Sequence, residues 1–488
     1  MNIINKSITR LTLIALFLAN CSVLPTPDGP SSSSANDVSI TAFTHVNIVP
    51  MTAEIVLENQ TVLVKGSKII AIGPADEISI PTDVAIIDGE GSYLMPGLAD
   101  MHMHTRQDWE SDNWPVSPLV LYIANGVTTI RDFGPSGEVL TYALKWREQI
   151  QAGTLIGPTI YASGRILFVS PLGDPQGLVR ENHDLGFDFL KLYSYLSPED
   201  AHEALTTAKE LDFYSAGHVP YAIGLENILS TGMDEIAHVE ELLPEFIEFD
   251  RNRELSPDEW LPYLISSGMQ QFEITAGFSE TDFNRQHGDT LARIIEQLHS
   301  AGAPVCTTMA VDDVIQLKLF QPQSFLDRPE SQYSPVGYLD LFRRGEEKHQ
   351  LQFREIEDMA AYKYGIDRWI LAGLHQGGIP LLLGTDAGTG GMGIVPGFSI
   401  HDELRILVEN GFSPYEAIAT GTVNASTVVE RMVGEGDFGT IEVGKRADLI
   451  LVKNNPLEDV ANIEDIRGVM AAGRWYSEEE LDQMIALE

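Results

Sequence analysis

The chain has 488 residues, 44% of them hydrophobic, so it is long enough for one large folded domain with a smaller one and is not a disordered protein. Its 71 Asp and Glu residues outnumber 31 Lys and Arg residues, and the formal net charge of −40 disfavours binding to nucleic acid or to an anionic membrane surface. The sequence has no basic run interleaved with aromatic residues, so we expect no nucleic-acid partner.

The N-terminus has the pattern of an export signal. A basic start precedes the apolar run "LTLIALFLA", which is too short to span a bilayer. We predict a signal peptide over 1–20 and a Pro- and Ser-rich tether over 21–37. The stretch "FLANC" resembles a bacterial lipoprotein cleavage box, in which Cys21 becomes the lipidated first residue. The alternative is an ordinary secretory signal. We therefore expect a protein attached to the cell envelope only through an N-terminal lipid, or secreted if Cys21 is unmodified.

Two kinds of pattern follow along the chain. Short β-rich runs separated by turns fill residues 38–95 and return over 432–488, which predicts one small β-sandwich domain built from both chain ends. Residues 96–431 alternate short apolar runs with amphipathic helical stretches. This alternation predicts an α/β fold, a (β/α)₈ TIM-like barrel whose site lies at the carboxyl ends of its strands.

The barrel region opens with two histidines in "MPGLADMHMHT". In an extended strand, side chains two residues apart point to the same face, so His102 and His104 project together from a strand end. Two imidazoles on one face can share a metal cation. The alternative interpretation is a pair of loop histidines.

Four more candidate ligands follow later apolar runs. Lys191 stands in the aromatic row of "FDFLKLYSY", where a buried ammonium is unfavourable unless it is paired or neutralised, although a lysine extending to the rim is an alternative. His218 and His238 each follow a short apolar run, and either one taken alone is more typical of a core or loop histidine than of a ligand. Asp386 ends the buried run "GGIPLLLGTDAG", where a helix cap is the alternative role.

Weaker candidates for substrate contact are Tyr193, Tyr221, Arg131 and His401. Tyr193 shares the face of Lys191 on the predicted strand, and Tyr221 follows His218. Arg131 in "TTIRDFG" is placed either to bind a substrate carboxylate or to pair with Asp132 or another acidic neighbour. His401 either lines the pocket or caps a helix.

Together these motifs resemble the amidohydrolase superfamily, from about Val38 to Tyr476. The resemblance is carried by "YLMPGLADMHMH", "GVTTIRDFG", "GFDFLKLY", "LLLGTDAG" and "GTIEVGKRADLILV", and within the superfamily it is greatest with the prolidase-like and imidazolonepropionase-like branch. It implies a hydrolase of a C–N bond in a small substrate such as a dipeptide or an N-acyl amino acid.

The resemblance also implies a metal centre. Lys191 is expected to be carboxylated to a carbamate that bridges two divalent ions, with zinc expected and manganese or another ion open. The other implied ligands are His102, His104 and Asp386 for one ion and His218 and His238 for the second. A hydroxide bridging the ions would attack the carbonyl, with Asp386 as general acid and base.

Two alternatives remain open on the sequence. One is a mononuclear imidazolonepropionase-like or deaminase-like hydrolase of a cyclic amide or amidine, in which Lys191 is only structural. The other is a non-catalytic binding lipoprotein on the same barrel. The sequence leaves a homo-oligomer open as well.

Overall fold

The structure is a computed structural model that describes residues 40–105, 113–134, 141–271, 278–354, 357–388 and 392–487. The predicted signal peptide and tether lie outside the described residues and stay predictions.

Seventeen strands are present among the described residues. They are β1 (Ile40–Ile48), β2 (Leu57–Lys65), β3 (Lys68–Pro74), β4 (Ala85–Asp88), β5 (Tyr93–Pro96), β6 (Leu98–Met103), β7 (Val127–Asp132), β8 (Thr159–Ala162), β9 (Leu167–Val169), β10 (Phe189–Tyr195), β11 (Tyr214–Gly217), β12 (Glu235–Ala237), β13 (Val305–Cys306), β14 (Leu381–Leu382), β15 (Leu449–Val452), β16 (Ile466–Ala471) and β17 (Arg474–Ser477).

Sixteen α-helices are present in the described part of the chain. They are α1 (Pro118–Ala124), α2 (Tyr142–Gln151), α3 (Pro175–Asp184), α4 (Pro198–Glu210), α5 (Leu225–Thr231), α6 (Pro257–Gln271), α7 (Glu280–Ala301), α8 (Ala310–Phe320), α9 (Pro322–Leu326), α10 (Tyr338–Arg343), α11 (Lys348–Gln352), α12 (Glu357–Gln376), α13 (Ser399–Glu409), α14 (Pro414–Thr420), α15 (Val423–Val433) and α16 (Glu478–Ile485). Short 3₁₀ segments cover Val239–Phe246, Pro329–Tyr333 and Val460–Glu464.

Local sequence explains where several helices begin. Helices α4 and α14 both start with Ser-Pro, and the serine hydroxyl accepts a hydrogen bond from the backbone N–H three residues later. Proline at the first helical position has no N–H that would be left unpaired there. In α14, Glu416 also reaches back to the backbone N–H of Ser413, which completes a capping box.

One sheet combines strands from both ends of the chain. Its order is β17, β16, β15, β5, β1, β2, β3, with β4 beside β1. Strand β5 lies between β1, which runs parallel to it, and β15, which runs antiparallel. The buried side chains of this sheet form a hydrophobic cluster that includes Phe43, Val62 and Leu449.

The barrel strands form two parallel sheets. One has the order β14, β13, β12, β11, β10, β9 and the other β6, β7, β8. Isolated parallel bridges, Met103 to Ala387 and Ser163 to Phe189, join the two sheets at both edges. Eight strands, β6 to β8 and β10 to β14, therefore follow one another around the barrel, and the predicted α/β fold with a TIM-like barrel is confirmed. No helix among the described residues has the length and apolar character needed to cross a membrane.

Arg131 belongs to the core of this barrel. Its guanidinium is fully buried, and Nη1 donates to Glu235 Oε2 at 2.8 Å while Nη2 donates to the other oxygen of the same carboxylate. Nε donates to the carbonyl of Met101 at 2.8 Å. The acidic partner is thus Glu235 and not Asp132, which instead accepts hydrogen bonds from Thr105. These contacts occupy the guanidinium, so the suggested role of Arg131 in binding a substrate carboxylate is not supported.

Substitution of Arg131 tests this assignment. Arg131→Met removes the positive charge that pairs with the buried carboxylate of Glu235 and leaves it the hydroxyl of Tyr214 as a donor. We therefore expect the free energy of unfolding in urea to fall by about 3–5 kcal/mol. The matched control is Arg467→Met, which breaks an exposed pair with Glu478 and should change stability by less than about 1 kcal/mol. Equal effects of the two substitutions would contradict a buried structural role for Arg131.

Candidate metal centre

His102 and His104 lie at the carboxyl end of β6 and just beyond it. The His102 ring is fully buried and stacks on Phe133, with ring centres 3.7 Å apart, and neither of its nitrogens has a hydrogen-bond partner among the described residues. His104 Nδ1 donates to the carbonyl of Gly134 at 2.8 Å. Because a carbonyl only accepts, Nδ1 of His104 carries a proton, and Nε2 lies 3.1 Å from Asp386 Oδ1, where a proton or a metal cation would be shared between the two atoms.

Asp386 follows β14 and is held against His102. Its backbone N–H donates to the carbonyl of His102 at 2.7 Å, and its φ of 56° lies in the left-handed region. Such conformations are unfavourable for non-glycine residues and concentrate at functional sites. Gly384 permits the close approach, because a Cβ there would lie 2.8 Å from the Cβ of His102 and 2.4 Å from Cys306 Sγ.

Asp100 fixes these two segments to each other. One carboxylate oxygen accepts from the backbone N–H groups of His102 at 3.3 Å and Thr385 at 3.1 Å, and the other accepts from Thr385 Oγ1 at 2.6 Å. Burial raises the pKa of Asp100 to about 7. Sequence reasoning missed this residue, although its position two residues before His102 on the same strand was visible.

His218 and His238 follow β11 and β12. Their ring centres are 4.8 Å apart, and that of His238 is 4.3 Å from that of His102. Gly217 permits the turn into His218, because a Cβ there would lie 2.1 Å from the carbonyl oxygen of Leu192. His238 has a φ of 70°, again in the left-handed region.

Each of these two histidines has one nitrogen held by the protein. Nδ1 of His218 lies 2.5 Å from Glu241 Oε1 and 2.8 Å from Ser194 Oγ. Nδ1 of His238 is hydrogen-bonded to Thr308 Oγ1 at 2.8 Å. In both cases Nε2 remains for another ligand, which is the usual arrangement of a histidine that binds a metal. Sequence reasoning missed these supporting side chains, because they come from other strands or loops.

Lys191 lies on β10 in the centre of the group. It is fully buried, its Nζ is 4.6 Å from the centre of the Phe133 ring, and this nitrogen has no hydrogen-bond partner among the described residues. Burial lowers the pKa of Lys191 to about 7, although the charges of Asp386 and Glu241 oppose the shift. The amine therefore loses its proton far more readily than an exposed lysine.

The protonation states suit a divalent cation. Burial, reinforced by neighbouring positive groups, lowers the pKa of His102 and His218 well below the usual value and that of His238 to about 3. Burial raises the pKa of Asp386, but the hydrogen bond and charge of His104 outweigh it, so the net shift is downward. Ligand atoms of His102, His104 and Asp386 all lie within 4.8 Å of one another. Burial lowers the pKa of His104, but the hydrogen bond and charge of Asp386 outweigh it, so the net shift is upward. A divalent cation would take the place of the proton shared by these two groups, and imidazoles with a carboxylate are typical zinc ligands, so the residues fit such an ion.

A second acidic group, Glu240, Asp312 and Asp367, has similar spacing but a different role. The ammonium of Lys363 lies between these carboxylates, at 2.7 Å, 3.0 Å and 2.6 Å respectively. The lysine thus supplies the positive charge that a metal ion would otherwise provide.

The weaker candidates divide into two groups. The ring of Tyr193 lies 4.0 Å from that of His218, and Tyr221 is anchored next to β10 by its N–H, which donates to the carbonyl of Ser194 at 3.0 Å. His401 instead lies on α13 beside the backbone of Asn125. Among the described residues, no ring contact joins His401 to the candidate histidines, and its role, lining the pocket or capping a helix, stays a prediction.

Comparison with known proteins finds a family model that matches part of the chain and two relatives that align over most of it. Residues 367–476 match the model of the Amidohydrolase family, a region that includes Asp386 and β14 to β16. This match covers 110 of the 488 residues, less than a quarter of the chain. It is 23% identical over 419 residues to ochratoxinase from Aspergillus niger, covering 77% of this chain and 73% of that protein. It is 21% identical over 409 residues to imidazolonepropionase from Alkaliphilus metalliredigens, covering 81% of this chain and 84% of that protein.

A solved structure shares the fold of this chain. The crystal structure of a Xaa-Pro dipeptidase with bound methionine in the active site superposes with a TM-score of 0.61 at 19% sequence identity. The match covers 90% of this chain and 100% of the dipeptidase chain. The resemblance to amidohydrolases of the prolidase-like and imidazolonepropionase-like branch is therefore confirmed.

The burial of Lys191 predicts a pH-dependent effect on stability. The folded-state pKa of Lys191 is about 7, below that of an exposed lysine. Between about pH 7 and pH 10, this side chain is therefore protonated in the unfolded chain but neutral in the folded chain. The resulting destabilisation is complete below this range and disappears as the pH rises through it. In metal-free protein, we expect Lys191→Met to be more stable than the wild type near about pH 6, with the difference shrinking near about pH 9.5. Urea unfolding at both pH values measures it, and a variant less stable at the lower pH would contradict the assignment.

Proposed function

We propose that this protein is a metal-dependent amidohydrolase that cleaves an amide or peptide-like C–N bond of a small substrate, such as a dipeptide or an N-acyl amino acid. One observation carries the proposal. Four histidines, a lysine and an aspartate converge at the carboxyl end of the barrel, with buried donor atoms on His102 and Lys191 that have no hydrogen-bond partner among the described residues. Buried polar atoms of this kind are unfavourable unless a ligand satisfies them.

The names of the relatives support the class of reaction. Ochratoxinase, imidazolonepropionase and the Xaa-Pro dipeptidase are all hydrolases of C–N bonds, and the first two align over most of this chain. The dipeptide or N-acyl amino acid is our proposal for the substrate class of this chain.

We assign two divalent ions, with zinc as the proposed metal, to the six side chains. His102, His104 and Asp386 would hold one ion, and His218 and His238 the other. Divalent ions in such a site polarise the scissile carbonyl and make a water molecule more acidic. The protein's contribution is a set of ligands with fixed orientations: His104, His218 and His238 are each held through Nδ1, while Nε2 remains available.

Lys191 would join the two halves of the site as a carbamate. Its neutral amine forms a bond to the carbon of CO₂ and releases one proton to solvent, so the product is a carbamate anion with two oxygen donors. The buried position of Lys191 favours this step, because burial lowers the pKa of the amine to about 7 and so supplies the neutral form.

Asp386 is the proposed general base and acid. Its carboxylate stays ionised next to His104, and its left-handed backbone turns the side chain towards the ligand group. It would accept the proton of the attacking water and then deliver it to the leaving nitrogen.

Two substitutions separate metal binding from proton transfer. His104→Ala removes a ligand, so metal content and kcat should fall together. Asp386→Asn retains the side-chain size and one oxygen but loses the basicity, so it should keep much of its metal while kcat falls by roughly two to four orders of magnitude. The measurements are elemental analysis of purified protein and hydrolysis of a library of dipeptides, N-acyl amino acids and cyclic amides.

The same measurements decide between the proposed function and its alternatives. About two ions per chain is expected for the proposed site, whereas about one ion, with cleavage of cyclic amides only, would favour an imidazolonepropionase-like enzyme. A metal-loaded Asp386→Asn variant with normal kcat would show that another group transfers the proton. Protein that binds no metal and cleaves no amide would favour the binding-protein alternative.

We also propose that the protein is exported and held at the bacterial cell envelope by a lipid on Cys21. In cells expressing the full chain, Cys21→Ser should move the protein from the membrane fraction to the soluble fraction. Cys306→Ser is the matched control, because this buried cysteine lies on β13 and its loss should not change the distribution. A wild-type protein that is already soluble would show that Cys21 carries no lipid.

A further inference from the structure

Aromatic side chains extend from the candidate metal centre towards the rim of the barrel. The Tyr193 ring lies 4.0 Å from His218, and the Phe168 ring lies 4.7 Å from Tyr193 and 5.5 Å from Tyr195. Tyr221 follows, at 5.9 Å from Tyr195. We refer to Phe168, Tyr193, Tyr195 and Tyr221 as the aromatic wall.

Strand geometry explains why the aromatic wall begins at the site. Side chains two residues apart on a strand share a face, so Lys191, Tyr193 and Tyr195 project from the same face of β10. The short strand β9 pairs with the carboxyl half of β10, with Leu192 opposite Leu167 and Tyr195 opposite Val169. Phe168 is therefore brought to the level of the two tyrosines, beyond the level of Lys191.

One end of the aromatic wall is packed and the other is exposed. Trp260 is buried and lies 5.4 Å from Tyr221, at the packed end. Phe168 and its neighbour Val169 are 44% and 37% exposed, and the three tyrosines are partly buried. The wall thus presents an apolar surface that is continuous with His218, in a chain whose net charge is −40.

We propose that the aromatic wall is a substrate subsite that takes a planar aromatic group located next to the scissile amide. The inference rests on the proposed function and adds a substrate class to it. Aromatic rings in proteins attract one another at centroid distances of about 4.5–7 Å in offset or edge-on arrangements, and the spacing within the wall falls in that range. A substrate ring held against Phe168 and Tyr193 would lie next to the candidate metal centre, because the ring of Tyr193 contacts His218.

Equilibrium binding tests the subsite without relying on turnover. The probes are 3-phenylpropionate and propionate, which share a carboxylate and differ in the phenyl ring, titrated calorimetrically into the metal-loaded protein. We expect the wild type to bind 3-phenylpropionate more tightly, and Phe168→Ala to reduce this preference by about fivefold to tenfold, the order expected for one aromatic contact. Phe168→Tyr, which keeps the ring, should retain the preference.

The matched control is Leu185→Ala. Leu185 is 43% exposed, similar to Phe168, but it follows α3 before the amino end of β10, at the opposite end of the strand from the wall. This variant should keep the wild-type preference. Because both substituted side chains are exposed, both variants should fold, which circular dichroism checks.

Three outcomes would overturn the subsite. The first is a wild type that shows no preference for the phenyl probe. The second is a Phe168→Ala variant that loses the same affinity for both probes. The third is a Phe168→Ala variant whose particle mass, measured by light scattering, is half that of the wild type. The last outcome would show that a second copy of the chain covers the wall. Failure of the proposed function is recognised separately, by assays in which the protein hydrolyses no amide. That result does not depend on whether the protein prefers the phenyl probe.

Discussion

The candidate site depends on the hydrogen bonds between the end of β6 and the segment that follows β14. Met101 N–H donates to Leu383, Asp386 N–H donates to His102, and His104 N–H donates to Ala387, at 2.7–2.8 Å. These bonds join the last barrel strand to the first, and they also set the positions of two histidines and the aspartate. Since side chains alternate along a strand, a shift of one residue would turn both histidines away from the aspartate. Closure of the barrel therefore also brings together the group formed by His102, His104 and Asp386.

The arrangement concentrates groups that are unfavourable in a protein interior. Lys191, Asp100 and Glu241 are all buried, and burial brings their pKa values to about 7, about 7 and about 8. Three groups that are fully charged at the surface at neutral pH are thus close to their titration points here. Such side chains lower folding stability, which is a common property of functional sites. The surrounding barrel core compensates for this loss.

Much of the site was predictable because it follows from strand ends. Five of the six candidate ligands stand at or after the carboxyl end of a strand, and parallel strands in a barrel bring these ends to one edge. Lys191 lies inside β10 and was found from its place in an aromatic row. The supporting contacts were not predictable, because Glu241, Ser194 and Thr308 reach the histidines across different loops and strands. The partner of Arg131 was also hidden, since Glu235 is 104 residues away in sequence. Pairings of this kind depend on side-chain positions that periodicity does not encode.

The order of strands in the sheet built from both chain ends has a consequence for biosynthesis. Strand β5 directly precedes β6, the first barrel strand, yet one of its two neighbours is β15 from the last part of the chain. While the ribosome is still making residues 97–448, one edge of β5 has no partner strand, and an unpaired edge is prone to association with other chains. Completion of the sheet must wait for the final residues, so a ribosome that stalls late would release a chain with an open edge next to the strand that carries His102.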